Sequence, residues 1–353
     1  MSGVDHGFWR GRRVLVTGHT GFKGAWLCLW LQSMGAHVYG AALEGMPSEP
    51  CLYELARVAE GMAASAVCDV RDAAAIARVV AECDPRVLFH LAAQPLVRRS
   101  FAAPRETYET NAMGTVNVLE AVRAHPSVEA VVVVTSDKCY ENREAPTPYR
   151  EDDPLGGHDP YSSSKAAAEL VSAAYRRSYF SAPDGPRVAS ARAGNVIGGG
   201  DWGEDRLVPD LIRSAVSQRN VRLRNPGATR PWQHVLSPLS GYLVLAQALC
   251  GGPRFARAWN FGPDPGEART VEWVVRRVSD LWPGGLSWSV DEGPHPHEAG
   301  LLALDSSLAR RELCWRPLLG LEEGLAATVA WYRAWREGQD MRELTLAQTS
   351  ALG

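Results

Sequence analysis

Tyr161 and Lys165 stand four residues apart in the segment YSSSK. On a helix, positions i and i+4 lie one above the other on the same face. An ammonium held beside a phenol favours the phenolate, which near neutral pH is a base able to take a hydroxyl proton. An isolated YxxxK is ordinarily a Tyr and a Lys on an exposed helix, so the weight comes from two other segments. In VLVTG followed by HTGFKG, the glycines at 18, 21 and 24 let an apolar strand turn tightly into a helix. Exposed N–H groups and the helix dipole then favour an anion such as a dinucleotide pyrophosphate. In TSDKCY (135–140), Ser136, Asp137 and Lys138 follow the apolar run VVVV at what would be the carboxyl end of a strand. A polar turn with a surface Asp–Lys pair is the plain structural alternative. As chemistry, Asp and Lys beside a serine exceed what hydride transfer needs and suit a reaction with a further proton transfer.

The elements that must position these residues alternate through the first half. Strands are predicted over 14–18, 37–43, 63–68, 86–93, 129–136 and 187–194, and helices over 24–34, 73–82, 111–124 and 162–179. The continuous apolar runs RVLFHLAA and EAVVVVTS fit strands covered on both faces. This order predicts an α/β fold, a Rossmann-type doubly wound parallel sheet. Past residue 195, loops rich in Gly, Pro and Trp predict a smaller C-terminal substrate lobe, interwoven with the first, over the carboxyl edge of the sheet. Residues 1–194 are thus the expected dinucleotide-binding domain and 195–353 mainly the substrate lobe. Leu319–Arg336 reads as a late amphipathic helix and the last dozen residues as a frayed tail. Trp26, Trp30, Trp331 and Trp335 fall at helical spacings and read as core, whereas Trp202 and Trp232 sit in loops where they could stack on a base or sugar.

Composition narrows the class. The 353 residues are 46% hydrophobic and 22% charged with net charge −3, which gives no reason to invoke nucleic acid or an anionic membrane. The seven cysteines are scattered without metal-ligand spacing and read as core thiols of a reducing compartment. No secretory signal is read, and apolar runs such as AWLCLWL are too short to span a bilayer. A cytoplasmic enzyme without a metal is expected.

Together these segments resemble the extended short-chain dehydrogenases/reductases, in their sugar-nucleotide branch. The resemblance runs through TGHTGFKG, DVRD (69–72), HLAAQP (90–95), TNAMGT (110–115), TSDKCY, YSSSK and ARAGNV (191–196), then GGGDW (198–202), RPWQHV (230–235), WNFGP (259–263) and PHEA (296–299). HTGFKG, SDKCY and RPWQHV place it among the 4,6-dehydratases, with CDP-D-glucose as the implied substrate. It implies NAD as cofactor and a homodimer or higher homo-oligomer built on the helices of Asn111 and Tyr161. Gly18, Gly21 and Gly24 would hold the pyrophosphate, with His19, Phe22 and Lys23 of the same turn; Asp69 and Val70 would meet the adenine. Leu91, Ala92, Ala93 and Gln94 would line the nicotinamide side, with Asn111 stabilising the central helix. Ser136, Tyr161 and Lys165 would engage the C4 hydroxyl and Asp137 would act as acid. Gln94, Asn195, Arg230, Trp232 and His295 would take the nucleotide sugar.

The sequence departs from the pattern at Lys138, where related dehydratases have a glutamate base. A lysine near its reference pKa of roughly 10.4 cannot accept a proton at neutral pH. Either burial lowers its pKa, which is the expectation taken here, or it stabilises an enolate electrostatically. The segment ending in GAAL lacks an immediate acid for the adenosine ribose, and Glu44 is expected to lie too far along. With no arginine before Arg57, a 2′-phosphate pocket is not expected. An epimerase or reductase on the same scaffold, or a non-catalytic dinucleotide sensor, are the competing readings. The Asp137–Lys138 pair speaks against the first and the intact Tyr161–Lys165 pair against the second.

Overall fold

Runs of valine and other β-branched residues resist the helix and pack well in a covered sheet. Such residues dominate β1 (Arg13–Thr17) and β5 (Ala130–Val134), two of seven parallel strands with β2 (His37–Ala42), β3 (Ala64–Val67), β4 (Val87–His90), β6 (Arg187–Ala193) and β7 (Ala258–Phe261). Their order in the sheet is β7-β6-β5-β4-β1-β2-β3. The structure is a computed structural model that describes residues 3–352 apart from 145, 146, 183, 184, 265, 292 and 294–300.

Successive strand residues point to opposite faces, and the core divides accordingly. Leu15, Leu88, Val131 and Val133 pack with helices α2 (Ala73–Cys83) and α3 (Gly114–Arg123). Val14, Val16, Phe89, Val132 and Val134 pack on the other face with α1 (Phe22–Ser33) and residues of the second half. There α5 (Leu236–Gly251), apolar nearly all round, is buried along most of its length. The catalytic candidates Tyr161 and Lys165 ride on α4 (Pro160–Ser178).

The six predicted strands and the helices between them are present with ends shifted by a few residues. The seventh strand was not read from the sequence: Ala258–Phe261 is short and lies far along the chain, and it pairs with β6. Trp26, Trp30 and Trp331 are fully buried core residues; Trp26 Nε1 donates to the Gly199 carbonyl at 2.9 Å, which ties α1 to the second half of the chain.

The frayed tail is a correction. Residues Met341–Leu352 form helix α7, packed against α1 and against α6 (Leu321–Arg336). Leu344 and Leu346 join the core and Thr345 accepts from Trp331 Nε1 at 2.9 Å. A short amphipathic segment is marginal alone and is held by the surface it covers.

His90 and His234 are buried at 2% and 1% exposure, and burial pushes their pKa down to about 3 and about 4. A histidine depressed below its unfolded value near 6.5 contributes stability above that pH, lost as pH falls towards the folded value. Stability to urea is therefore expected to decline steadily below pH 6.5. His90→Gln should make that decline shallower in unfolding curves taken from pH 7.5 to 4.5.

Candidate active site

The β1–α1 turn is built for a close approach. Gly18 has φ +72°, and a Cβ on it would lie 2.8 Å from the Ala92 amide nitrogen; a Cβ on Gly24 would overlap the Gly18 carbonyl. Gly21 caps α1 with no side-chain hydrogen bond, leaving first-turn N–H groups to an external acceptor. The turn opens on a cleft of about 1240 Å³ at the carboxyl edge of the sheet. That exceeds the roughly 300–1,000 Å³ of a single-ligand pocket. A cradle that a Cβ would fill, facing such a cleft, fits the pyrophosphate of a dinucleotide. Gly24→Ala is expected to weaken NAD binding about 100-fold, about 2.7 kcal/mol, read by calorimetric titration, with circular dichroism confirming the fold.

Asp69, Val70, Leu91, Ala92 and Ala93 line the cleft. Asp69 is paired with Arg71 at 2.5 Å, which holds its carboxyl below the usual range. Glu44, expected to lie too far along, lines the cleft beside Leu43 and Met46. Phe22 and Lys23 line it too. Burial, reinforced by Lys165 and Arg206, pushes the Lys23 ammonium down to about 7.

Two expected cofactor contacts are corrected, and Asn111 is tied to α4. The His19 ring turns away from the cleft into space left by Gly40, with Nε2 2.7 Å from Ser65 Oγ. The Gln94 amide is spent within its own loop: Nε2 donates to the Leu96 carbonyl and to Thr107 Oγ1, both at 3.0 Å, and Oε1 accepts from Leu96 N. It is therefore free for neither cofactor nor sugar. Asn111, in the π-helical turn Glu109–Met113, ties the Gln94 backbone to Ser164 of α4 and does not line the cleft. Gln94 and Asn111 thereby satisfy backbone groups that would otherwise be orphaned.

The candidate catalytic groups converge where β5 ends. Ser136 Oγ donates to Asp137 Oδ1 at 3.0 Å and accepts from Lys138 N–H at 3.2 Å. Asp137 is 1% exposed and its Oδ2 has no hydrogen-bond partner among the described residues. Asp159 caps α4 and Pro160 starts it, a strong helix start that turns Tyr161 and Lys165 into the same cleft. Lys165 Nζ donates to the Val134 carbonyl at 3.2 Å. Burial raises the Tyr161 phenol to about 12, with the neighbouring Ser136 hydroxyl acting the other way. Burial lowers Lys165 to about 8. The expected lowering of the phenol by the lysine thus meets an opposing effect, the desolvation of the buried ring. Burial of Lys138 is corrected as well: its side chain is 33% exposed, 3.6 Å from Asp137.

On the substrate side, Asn195, Arg230 and Trp232 line the cleft. Asn195 Oδ1 is buried with no partner among the described residues, while Trp232 Nε1 is fixed to the Arg269 carbonyl at 3.1 Å. Trp202 is packed against Tyr332 and Trp335 and is a core residue. His295 lies outside the described residues. Sequence reasoning missed Arg206, which pairs with Asp201 at 2.8 Å in the same cleft; its place beside GGGDW, after an acidic loop, was the available signal. Among the described residues no cluster of His, Cys, Asp and Glu could hold a metal, and no helix is long and apolar enough to cross a membrane.

The sequence profile of the family described as GDP-mannose 4,6 dehydratase matches residues 15–247. A CDP-glucose 4,6-dehydratase from Salmonella typhimurium is 52% identical over 343 residues, covering 96% of this chain and 95% of its own. A dTDP-glucose 4,6-dehydratase from Mycolicibacterium smegmatis is 30% identical over 350 residues, covering 94% and 97%. Among solved structures, a dTDP-glucose 4,6-dehydratase from Streptomyces venezuelae with NAD and TYD bound aligns with TM-score 0.78 at 26% identity, over 93% of this chain and 99% of that one.

Proposed function

Because the chain belongs to the GDP-mannose 4,6-dehydratase family, within the sugar-nucleotide branch of the extended short-chain dehydrogenases/reductases, we propose that it is an NAD-dependent CDP-D-glucose 4,6-dehydratase. It converts CDP-D-glucose to CDP-4-keto-6-deoxy-D-glucose and water. The observation that carries a dehydratase rather than an epimerase is Asp137: buried, one oxygen unpartnered, bonded through the other to Ser136. Inverting C4 needs no acid to expel a hydroxyl. The choice of CDP-glucose follows the 52% identical relative.

Bound NAD supplies a reversible two-electron oxidation, taking hydrogen from C4 and giving it back at C6. The backbone of Gly18, Gly21 and Gly24 would hold its pyrophosphate, Asp69 and Val70 its adenine end, and Leu91, Ala92 and Ala93 its nicotinamide side. Tyr161 takes the C4 hydroxyl proton, with Ser136 orienting that hydroxyl and Lys165 stabilising the phenolate. The resulting 4-ketone acidifies the C5 proton, which passes to a base in the cleft and returns to C5 when C6 is reduced, so that one water is the net loss. Lys138, exposed at the rim and paired with Asp137, stabilises the enolate by its charge. Asp137, entering as the neutral acid, protonates the departing C6 hydroxyl so that water leaves. Asn195, Arg230 and Arg206 face the nucleoside diphosphate; the arginines offer a permanent charge and a fork of donors, and Trp232 walls the same region.

Residues 1–194 carry the cofactor share of the site and 195–353 mainly the nucleotide-sugar share. Phe101, Tyr108, Met113 and Leu170 are exposed at 51%, 40%, 52% and 60% on and beside the helices of Asn111 and Tyr161. Covering them in a second copy supports a homodimer.

The test is incubation with NAD and CDP-D-glucose, with dTDP- and GDP-sugars in parallel, followed by alkali, in which 4-keto sugars absorb in the ultraviolet. Absorbance should develop with CDP-D-glucose. Absorbance with only dTDP- or GDP-sugars would reassign the substrate.

A further inference from the structure

Behind the cleft lies a buried ion pair that the reaction scheme does not use. Glu169 and Arg192 are each 3% exposed and lie 2.8 Å apart. Burying two charges is costly unless their remaining hydrogen-bond capacity is met, and here much of it is. Glu169 Oε1 accepts from Thr135 Oγ1 at 2.5 Å. Its Oε2 accepts from Ser190 Oγ at 2.6 Å as well as from Arg192 Nη2. Arg192 Nη1 donates to the Tyr140 hydroxyl at 2.7 Å and to the Glu151 carbonyl at 3.0 Å. Tyr140 in turn donates to Asn260 Oδ1 on β7 at 2.7 Å.

The anchor points are informative. Thr135 directly precedes Ser136, and Tyr140 directly follows the turn Asp137–Cys139. Glu169 sits on α4 one helical turn beyond Lys165 and two beyond Tyr161. We infer that the Glu169–Arg192 pair is a positioning unit of the active site, fastening both ends of the Ser136–Asp137–Lys138 turn to the helix that carries Tyr161 and Lys165. Its kinetic consequences rest on the dehydratase reading; the fastening itself does not.

Charge adds a second effect. Facing Lys165 are Glu169 on its own helix, His90 at the end of β4, Cys139 after β5, and Lys23 at the head of α1. Arg176 and Arg192 face Glu169 itself. Burial pulls Lys165 down and the Glu169 carboxylate opposes it. The ammonium is present below its pKa, so activity that needs it fades as pH rises through that value. Neutralising Glu169 moves the loss to lower pH.

Three full-length variants test this: Glu169→Gln, Thr135→Val and Tyr140→Phe, each assayed for pH–rate profile and for hydrogen exchange at the amides of 136–140. In Glu169→Gln the alkaline limb of kcat should move down by about one pH unit. Tyr140→Phe and Thr135→Val keep both charges. They should lose about 10- to 100-fold in kcat with KM and the alkaline limb unchanged, and exchange in the turn should quicken. Unchanged exchange in both would overturn the inference, as would an unmoved alkaline limb in a folded Glu169→Gln. If Glu169→Gln fails to fold around an unpaired Arg192, the two hydroxyl deletions decide. If the wild type turns over no CDP-D-glucose, the dehydratase reading fails, while hydrogen exchange, which needs no substrate, still judges the fastening.

Discussion

Tyr161→Phe is expected to lower kcat by about 10²–10⁴-fold while NAD binding is retained. The ring is 9% exposed on α4 and the substitution removes one oxygen from a packed site, so the fold and the glycine turn some distance along the cleft are left intact. What is lost is the acceptor for the C4 hydroxyl proton. Burial holds the free phenol at about 12, so the phenolate depends on positive charge brought close to it. Arg206 acts in that direction, and Lys165, one helical turn along α4, and a bound oxidised nicotinamide would add to it. Activity should accordingly rise with pH in the wild type up to the alkaline limb set by Lys165, and the residual rate of the phenylalanine variant should lack that rise. Calorimetry for NAD and the alkali assay for product separate binding from turnover. Turnover within a factor of two of wild type would remove Tyr161 from the reaction.

Asp137→Asn should uncouple the reaction in the middle. The asparagine keeps the size of the aspartate and can still accept from Ser136, as Oδ1 does at 3.0 Å. It has no acidic proton to give to the C6 hydroxyl. Oxidation at C4 does not use that proton, so the C5 position should still become acidic and exchange with deuterated solvent. Loss of water should slow by about 10²–10⁴-fold. Nuclear magnetic resonance of substrate recovered from heavy water reads the exchange directly. Exchange without dehydration is the expected result; dehydration at the wild-type rate would place the acid on another residue.

Both predictions concern residues that were legible before any coordinates, and the reason is local. Tyr161 and Lys165 share a helix face because of their spacing, and Ser136–Lys138 follow a strand whose valines announce it. Gly18 and Gly24 are demanded by a turn in which a Cβ has no room. The residues misassigned were those whose neighbours come from elsewhere in the chain. His19 lies inside the fingerprint, yet its ring points into the gap at Gly40 on β2 and meets Ser65 on β3. Gln94 sits in HLAAQP, yet its amide closes a loop against Leu96 and Thr107. Residues 341–352 look like a loose end because their apolar face has no partner until α1 and α6 are assembled beneath it.

The sequence by itself determined the alternation of strand and helix, the tight glycine turn after β1 and the shared helix face of Tyr161 and Lys165, because backbone propensity and short spacings act within a few residues. Tertiary structure alone decided the protonation balance of Tyr161, Lys165 and Lys23, which follows from how deeply each is buried and which charges face it. It also decided that a seventh strand from the second half completes the sheet, and that Glu169 meets Arg192 behind the cleft. Desolvation and long-range pairing depend on what surrounds a residue in space, and chain order does not carry that.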